Sequence, residues 1–414
     1  MLSTISQVYL SQVQSRLRRL AGAILARVEV ARSTRSVTES EMGMQCCPSC
    51  FQDKWLKAKI AELSEDEGDC PLCEAENVPL IDASELGGYF SNLLSMYEVA
   101  DSFEEGECLI FLIQDDWQVF DEDALTEDQR AELLEDIANA DWDDDDGEDP
   151  IDGQSLYQHV GGLLHTTHRD AWEQYCSDVR ENPDEALPFE EFLTDDLAML
   201  SVALPVGTNL HRARPGFKPG EYGEREAYKG DDIGAPPAAK AKAGRVNIDG
   251  QRVLYCADQE GTAVAEVRPA RGFYVSVASV TVNREVHIID LAKGPPGINP
   301  FITETLRWDV EIQSLLIALG EELSLPLERD GDSAHYRPSQ RLADYIRGAR
   351  YDGIRYPSAL NPDGTNVVFF DPAVATIGES KLAKITENTL KYVEERPRQP
   401  FNPRVGAVAQ DENN

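Results

Sequence analysis

The chain has 414 residues, a hydrophobic content of 42% and a formal net charge of -37 at pH 7. This length suits two or three domains, and the apolar content is ordinary for a globular protein. The charge argues against general electrostatic binding to nucleic acid or to anionic lipid, because phosphate contact needs clustered Lys and Arg. We therefore expect a soluble acidic protein without direct nucleic-acid or membrane contact.

The N-terminal segment differs from the rest in being basic, with arginines and no acid before Glu29. It could be an amphipathic helix packing on the body, a transit-like segment, or an extension from a misassigned start. No run of about 18 apolar residues predicts a membrane span, and no apolar core with a cleavage site indicates a secretory signal. We assign no function to residues 1–43 and predict a cytoplasmic protein.

Two CxxC pairs define the first recognisable module, over residues 44–80. The four cysteines are Cys47, Cys50, Cys70 and Cys73. Two such pairs at this separation predict a tetrahedral Zn²⁺ site, and four thiolates would fill the coordination, which makes the zinc structural. The alternatives are reduced thiols or a disulfide pair. The scattered remaining cysteines, Cys46 among them, are typical of a reducing compartment.

Residues 81–200 are acidic and show apolar residues at three-to-four spacing, which predicts a mostly helical domain. The run DWDDDDGEDP, residues 141–150, indicates a solvated loop, because the alternating ligands and late Glu of a calcium-binding EF-hand are absent. The segment PFEEFLTDDLAML predicts the last helix before the next domain.

The stretch of residues 233–269 combines a turn-rich loop, a strand over residues 252–257 and a short helix. Asp258 is the predicted N-cap of that helix. Glu266 lies in an apolar run, where a carboxylate is poorly solvated unless it faces a polar site. It is therefore a candidate for chemistry, and the alternative is an ion pair with Arg268.

Three motifs in order carry a resemblance to a known family. They are LHRARP with Arg212 and Arg214, LYCADQEGTAVAEVRP with Glu266, and YDGIRYPS with Ser358. Together they closely resemble the RES domain, named for its Arg, Glu and Ser, over residues 204–372. The loop here reads Ala-Gly-Arg-Val, where Gly-Gly-Arg-Trp is often seen, and this leaves Arg245 in place without the aromatic residue.

The zinc-plus-helix region resembles the HEPN/RES N-terminal region found before some RES domains. The ribonuclease pattern of HEPN proteins, an Arg followed by His, is absent after Arg169. We predict an α+β protein, because short strands and helices intersperse in the C-terminal half. The resemblance implies an ADP-ribosyltransferase-like fold there. The predicted parts are a basic extension over 1–43, a four-cysteine zinc module over 44–80, a helical domain over 81–200, a RES domain over 204–395 and a disordered tail over 396–414.

The resemblance implies that NAD⁺ is a substrate to be cut. A Rossmann dehydrogenase is excluded, because no G-x-G-x-x-G follows a strand and opens a helix. Arginines suit the pyrophosphate, since the planar guanidinium can bond two oxygens at once. The implied catalytic residues are Arg212, Tyr255, Glu266 and Ser358, with Ser358 contacting phosphate or ribose from the opposite wall. The implied NAD⁺-binding residues are Arg214, Arg245, Tyr336 and Gln340.

The expected activity is cleavage of the nicotinamide–ribose bond of NAD⁺. The acceptor can be inorganic phosphate or water, as in a phosphorylase or a glycohydrolase. The resemblance further implies a toxin restrained by a cognate antitoxin. One alternative is a protein ADP-ribosyltransferase, and one of a different class is an inactive, zinc-stabilised interaction module.

Overall fold

A computed structural model describes residues 43–100, 106–140, 150–152, 155–160, 167–325 and 333–387. The basic extension up to residue 42, the acidic run over 141–149 and the predicted tail over 396–414 lie outside these ranges. The chain divides into two compact units. The first is Met1–Val160 with Pro300–Ile302, and the second is Gly161–Asn299 with Thr303–Asn414. The five-part division drawn from the sequence stays a prediction.

The first unit combines four helices with short strands in the described residues. Its helices are α1 Lys54–Leu63, α2 Gly87–Leu94, α3 Leu109–Trp117 and α4 Glu127–Ala138. Its strands are β1 Gln45–Cys46, β2 Asp66–Gly68, β3 Val78–Asp82, β4 Tyr97–Val99, β5 Glu107–Cys108 and β6 Leu156–His159. They form two antiparallel sheets, β1-β3-β2 and β4-β6-β5. The second sheet lies in the region predicted as mostly helical, where strands this short leave no alternating pattern to read.

The second unit begins with two helices and continues with a mixture of strands and helices. The helices are α5 Thr167–Glu181, α6 Glu190–Ala198, α7 Glu260–Glu266, α8 Leu306–Ser324 and α9 Arg337–Gly348. The strands are β7 Ser201–Leu204, β8 Asn209–Pro215, β9 Lys218–Pro219, β10 Arg225–Glu226, β11 Leu254–Ala257, β12 Tyr274–Val282, β13 Val286–Asp290, β14 Gly353–Pro357, β15 Thr365–Phe369 and β16 Ala375–Lys384. The mixed α+β class predicted for this half is confirmed.

One eight-stranded sheet organises the second unit, with the strand order β16-β12-β8-β11-β15-β14-β13-β7. Only β13 and β14 run parallel among its neighbours, and the other pairs are antiparallel. Strands β9 and β10 form a separate hairpin inside the long Gly- and Pro-rich loop.

The centre of this sheet is buried on both faces. Val367 and Phe369 belong to one apolar cluster, and Val368 between them belongs to another. Because successive side chains of a strand point to opposite faces, both faces are covered here. Helices α5, α6, α8 and α9 supply residues such as Trp172 and Leu316 to the Val368 side. This explains why the central strands read as continuous apolar runs.

Strand register brings four strands together at one point. Asn366 on β15 lies directly opposite Tyr356 on β14 and Ala257 on β11. Ala257 in turn lies opposite His211 on β8. Directly opposite residues of antiparallel strands share a side of the sheet, so these side chains are neighbours.

Among the described residues, none of the helices has the length and apolar character needed to span a membrane.

Candidate functional site

A cavity of about 770 Å³ opens where β8, β11, β14, β15, α7 and the loop before β11 meet. Its volume lies in the range of small-molecule and cofactor sites. Six of the predicted site residues line it: Arg212, Arg214, Arg245, Tyr255, Glu266 and Tyr336. These residues come from distant parts of the chain, so the fold brings together most of the set that the sequence motifs implied.

Glu266 is the last residue of α7 and presents its carboxylate to this cavity. Its Oε1 accepts hydrogen bonds from Ser358 Oγ at 2.7 Å and from Asn366 Nδ2 at 2.8 Å. Its Oε2 accepts none from any residue that the structure describes. One oxygen therefore fixes the side chain, and the other remains available to a ligand.

Ser358 lies behind Glu266 and does not line the cavity. It is 7% exposed, donates to Glu266, and accepts from the backbone N–H groups of Leu360 and Asn361, each at 3.2 Å. The hydroxyl is thus committed to the carboxylate and to its own turn. The direct contact of Ser358 with phosphate or ribose that the resemblance implied is not the arrangement here, and the geometry makes Ser358 a positioning residue.

Arg212 on β8 is held by three backbone carbonyls. Its Nε donates to Ile233 O at 2.6 Å, and its two terminal nitrogens donate to Tyr255 O at 2.7 Å and to Gly234 O at 3.2 Å. Burial lowers the pKa of this guanidinium, and the nearby positive charge of Arg214 lowers it further. Carbonyl oxygens orient the group without neutralising its charge.

The other two arginines are held in the same way. Arg214 donates to Asp232 O and lies 4.3 Å from the centre of the Tyr228 ring, while Arg245 donates to Leu325 O. None of the three cavity arginines forms an ion pair with a carboxylate of the described residues. The cavity lining also contains Lys240 and the acids Asp231, Asp232 and Glu266. Three guanidinium groups without a carboxylate partner still favour an anionic ligand.

Tyr255 ties the loop before β11 to the sheet. Its hydroxyl donates to Asn247 Oδ1 at 2.9 Å and accepts from Val246 N–H at 3.2 Å. Burial raises the pKa of Tyr255 to about 12, so the phenol is neutral at pH 7 and offers its ring to the cavity.

Gln340 supports the same loop, donating to Gly244 O at 2.8 Å and Asn247 O at 2.9 Å. Gln340 does not line the cavity, so this geometry gives it a structural role in place of the implied NAD⁺ contact.

Asn366 and Tyr356 are among the cavity residues that the sequence reasoning missed. Asn366 is 4% exposed and donates to Glu266. One feature of the sequence could have identified it: Asn366 is the single polar residue at the start of the apolar run NVVFF. A buried polar side chain is uncommon and needs a hydrogen-bond partner. Tyr356 stands two residues before Ser358 in the YPS segment and carried no separate signal.

The predicted helix cap at Asp258 is wrong. Helix α7 begins after Gln259, and Asp258 Oδ1 instead accepts a hydrogen bond from Thr365 N–H at 2.9 Å. The carboxylate is used across the sheet, where it satisfies the first backbone donor of β15. The sequence alone cannot tell whether an aspartate just before a helix caps that helix or accepts a hydrogen bond from a neighbouring strand.

The four cysteines of the CxxC pairs converge in the first unit. Their sulfur atoms all lie within 4.8 Å of one another, and three of the Sγ–Sγ distances are 3.4, 3.6 and 3.9 Å. Four sulfurs at about 2.3 Å from a tetrahedral Zn²⁺ would be roughly 3.8 Å apart. The observed spacings fit that arrangement. All eight cysteines of the chain are free, so the disulfide alternative does not apply.

Cys46 is buried beside this cluster without belonging to it. The three other cysteines, Cys108, Cys176 and Cys256, are partly or fully buried elsewhere. Within the described residues the Cys47, Cys50, Cys70 and Cys73 group is the only set of three or more candidate metal-binding side chains.

Comparison with known proteins places the cavity in a known domain. No curated protein matches the chain. A chain from the crystal structure of the M. tuberculosis MbcT-MbcA toxin-antitoxin complex is similar, with 11% sequence identity and a TM-score of 0.26, over 47% of this chain and 93% of that chain. Residues 209–389 match the RES domain family. The matched range starts downstream of residues 81–200, so the HEPN/RES interpretation of that region stays a prediction. The range that matches the RES domain family begins with the first residue of β8 and ends beyond β16.

Proposed function

We propose that this protein cleaves the nicotinamide–ribose bond of NAD⁺, transferring the ADP-ribosyl group to inorganic phosphate or to water. The observation that carries the proposal is the Glu266 carboxylate, fixed by Ser358 and Asn366 through one oxygen and open to an arginine-lined cavity through the other. The RES domain over residues 209–389 supports the same reaction class.

The three cavity arginines suit the pyrophosphate of a dinucleotide. Arg212, Arg214 and Arg245 already use backbone carbonyls to fix their orientation, so little side-chain freedom remains to be lost when a ligand binds. Their unpaired charge would meet the phosphate oxygens in charge-assisted hydrogen bonds, which are stronger than neutral ones. In this proposal the reactive ribose lies at the Glu266 end of the cavity.

Glu266 would act on charge that develops during bond breaking. Nicotinamide leaves as a neutral group, and the ribose gains positive character as the bond lengthens. A carboxylate aimed at that position stabilises the transition state more than the ground state, which is the requirement for catalysis. No separate base is needed for such a dissociative step, so phosphate, water or a protein side chain could each complete the reaction.

The test of the reaction is release of nicotinamide from NAD⁺ by the full chain. We expect Glu266→Gln to lower turnover by about 10²–10³-fold, because it removes a preorganised charge while keeping an oxygen for Ser358 and Asn366. Glu285→Gln is the control, since Glu285 is 65% exposed and pairs with His287 outside the cavity. Unchanged turnover in Glu266→Gln would remove the catalytic role of this carboxylate.

Three arms of the same assay identify the acceptor. Stimulation by inorganic phosphate indicates a phosphorylase, and phosphate-independent release indicates a glycohydrolase. Transfer of label from NAD⁺ to protein on a gel indicates the ADP-ribosyltransferase alternative. Absence of release and of transfer, with an intact fold, would favour the inactive interaction module.

The toxin assignment extends this proposal to the cell. Expression of the wild-type chain should deplete NAD⁺ and arrest growth, and Glu266→Gln should do neither. Co-expression of a cognate antitoxin should restore both NAD⁺ and growth. NAD⁺ levels that stay constant during wild-type expression would contradict a toxin acting by NAD⁺ consumption.

The four-cysteine cluster is proposed to hold one structural Zn²⁺ through Cys47, Cys50, Cys70 and Cys73. Four thiolates saturate the metal, so it would stabilise the knuckles of the first unit and leave no position for substrate. We expect about one zinc per chain by metal analysis, and loss of that zinc together with a lower Tm in Cys70→Ser. Cys108→Ser is the control, because Cys108 is a half-buried thiol outside the cluster. Retention of one zinc in Cys70→Ser would contradict the site.

A further inference from the structure

Tyr356 is a buried phenol at the cavity whose hydroxyl the protein leaves unused. The residue is 3% exposed and lines the cavity. No hydrogen bond links its hydroxyl to any of the described residues, whereas the Tyr255 hydroxyl beside it has two partners. A phenol hydroxyl can both donate and accept a hydrogen bond, and the fold uses neither capacity here.

The chain offers a second unpartnered phenol for comparison. Tyr175 on α5 is 4% exposed, and its Oη is sealed from solvent with no hydrogen-bond partner. Tyr356 Oη is not among the sealed atoms. Since the Tyr356 side chain lines the cavity, its hydroxyl opens into that space, where a ligand can reach it.

The surroundings of Tyr356 define what it could bind. Tyr356 lies directly opposite Asn366 in the sheet, and Asn366 donates to Glu266. Burial raises the pKa of Tyr356 well above its usual range, and Tyr255 and Glu266 add to this effect against the opposing charge of Arg245. The phenol is therefore a neutral donor next to the carboxylate.

We infer that Tyr356 is a ligand-binding residue, whose hydroxyl donates a hydrogen bond to a polar acceptor at the nicotinamide–ribose end of NAD⁺. This inference rests on the proposed function and assigns a contact beyond Arg212, Tyr255 and Glu266. The hydroxyl faces the open cavity, and the bound substrate would supply the acceptor that the fold does not.

The experiment compares Tyr356→Phe with Tyr175→Phe in the full chain. Both substitutions remove one buried, unpartnered hydroxyl and keep the ring, so both should leave Tm unchanged or raise it. Only Tyr356→Phe should lower kcat/KM for nicotinamide release, by about 3- to 10-fold, as expected for loss of one neutral hydrogen bond. Tyr175→Phe should keep the wild-type kcat/KM.

The outcomes separate this inference from the proposed function. A wild-type chain that does not cleave NAD⁺ overturns the proposed function and the inference with it. An active wild type and an equally active Tyr356→Phe overturn the inference alone. A fall in Tm of Tyr356→Phe together with lost activity also overturns it, because the hydroxyl would then stabilise the fold and not the ligand.

Discussion

The guanidinium of Arg212 both bonds to the backbone around it and lines the cavity. It joins the loop carbonyls of Ile233 and Gly234 to the β11 carbonyl of Tyr255, and it lines the cavity with an unpaired charge. Arg214, two residues further along β8, is exposed and contacts Asp232 O and one aromatic ring. The two arginines therefore differ in what they contribute to stability, although both face the same ligand space.

We expect Arg212→Ala to lower the free energy of unfolding by about 1.5–3 kcal/mol, the usual cost of losing hydrogen bonds to a charged group. Arg214→Ala should change it by no more than about 0.5 kcal/mol, as for most surface substitutions. Both should weaken NAD⁺ binding. Urea unfolding and ligand titration measure the two effects, and equal stability losses in both variants would contradict the bridging role of Arg212.

The raised pKa of Tyr255 predicts how the stability of the protein changes at alkaline pH. Its pKa is raised by burial from 10.0 to about 12, so between these values the unfolded chain loses the phenol proton while the folded chain keeps it. A raised acid pKa contributes stability that is complete below pH 10 and is lost as pH rises towards 12. The unfolding free energy of wild type minus that of Tyr255→Phe should therefore fall between pH 10 and pH 12. A constant difference would show that Tyr255 ionises equally in both states.

At the scale of elements, the segment of residues 243–247 is the part of the cavity wall that depends most on close packing. A Cβ added at Gly244 would lie 2.7 Å from Tyr255 Oη and 3.0 Å from Asn247 Oδ1. The first distance is below any real Cβ contact, so a side chain there must displace the loop that carries Arg245. The close approach of Tyr255 and Asn247 to the backbone at residue 244 therefore explains why this residue is a glycine.

We expect Gly244→Ala to lower both stability, by about 1–3 kcal/mol, and NAD⁺ cleavage, because overpacking forces the backbone to shift. The double variant with Tyr255→Phe removes the nearest clashing atom and should recover part of the loss, which a double-mutant cycle measures. Gly261→Ala is the control: Gly261 is an exposed helical glycine with open space around it, and alanine there should stabilise by about 0.5–1 kcal/mol. Independent, additive effects of Gly244→Ala and Tyr255→Phe would contradict the clash.

Sequence reasoning found the strands with strong local patterns and missed those without them. Strand β11, Leu254–Ala257, lies within the strand predicted over residues 252–257, and helix α6, Glu190–Ala198, lies within the predicted segment PFEEFLTDDLAML. Strand β16, Ala375–Lys384, was missed, because it is a half-exposed edge strand containing one glycine and three charged residues. Such a strand forms by pairing with β12 over its whole length, and that partner is invisible in a local window.

The candidate site, too, could be predicted only where local sequence motifs mark its residues. Glu266 and the arginines could be predicted, because their motifs stand in a recognisable order. The residues Asn366 and Tyr356 are neighbours only through strand register, and nothing in the sequence indicated that the hydroxyl of Ser358 donates to Glu266. Residue types suffice to propose a set of chemical groups, whereas hydrogen-bond direction depends on tertiary structure.

At the scale of the whole molecule, the net charge is strongly negative, whereas the cavity lining contains residues of both signs, with Asp231, Asp232 and Glu266 beside the arginines. The chain carries 75 acidic and 38 basic residues, while the cavity collects three arginines without carboxylate partners among the described residues. A net-negative dinucleotide is thus repelled at long range and attracted at contact. The two effects respond differently to salt, because screening acts first on distant, solvent-exposed charges.

This opposition predicts an unusual salt dependence of NAD⁺ cleavage. Raising ionic strength from about 0.01 to about 0.15 M shortens the Debye length from about 30 Å to about 8 Å. The repulsion from the acidic surface is then screened, while arginine–phosphate contacts inside the cavity keep most of their strength. KM for NAD⁺ should therefore fall over this range, and Arg214→Ala should show the same trend from a higher starting KM, since it leaves the distant charges in place. A KM that rises steadily with salt would mean that the contact arginines, and not the acidic surface, dominate the approach of the substrate.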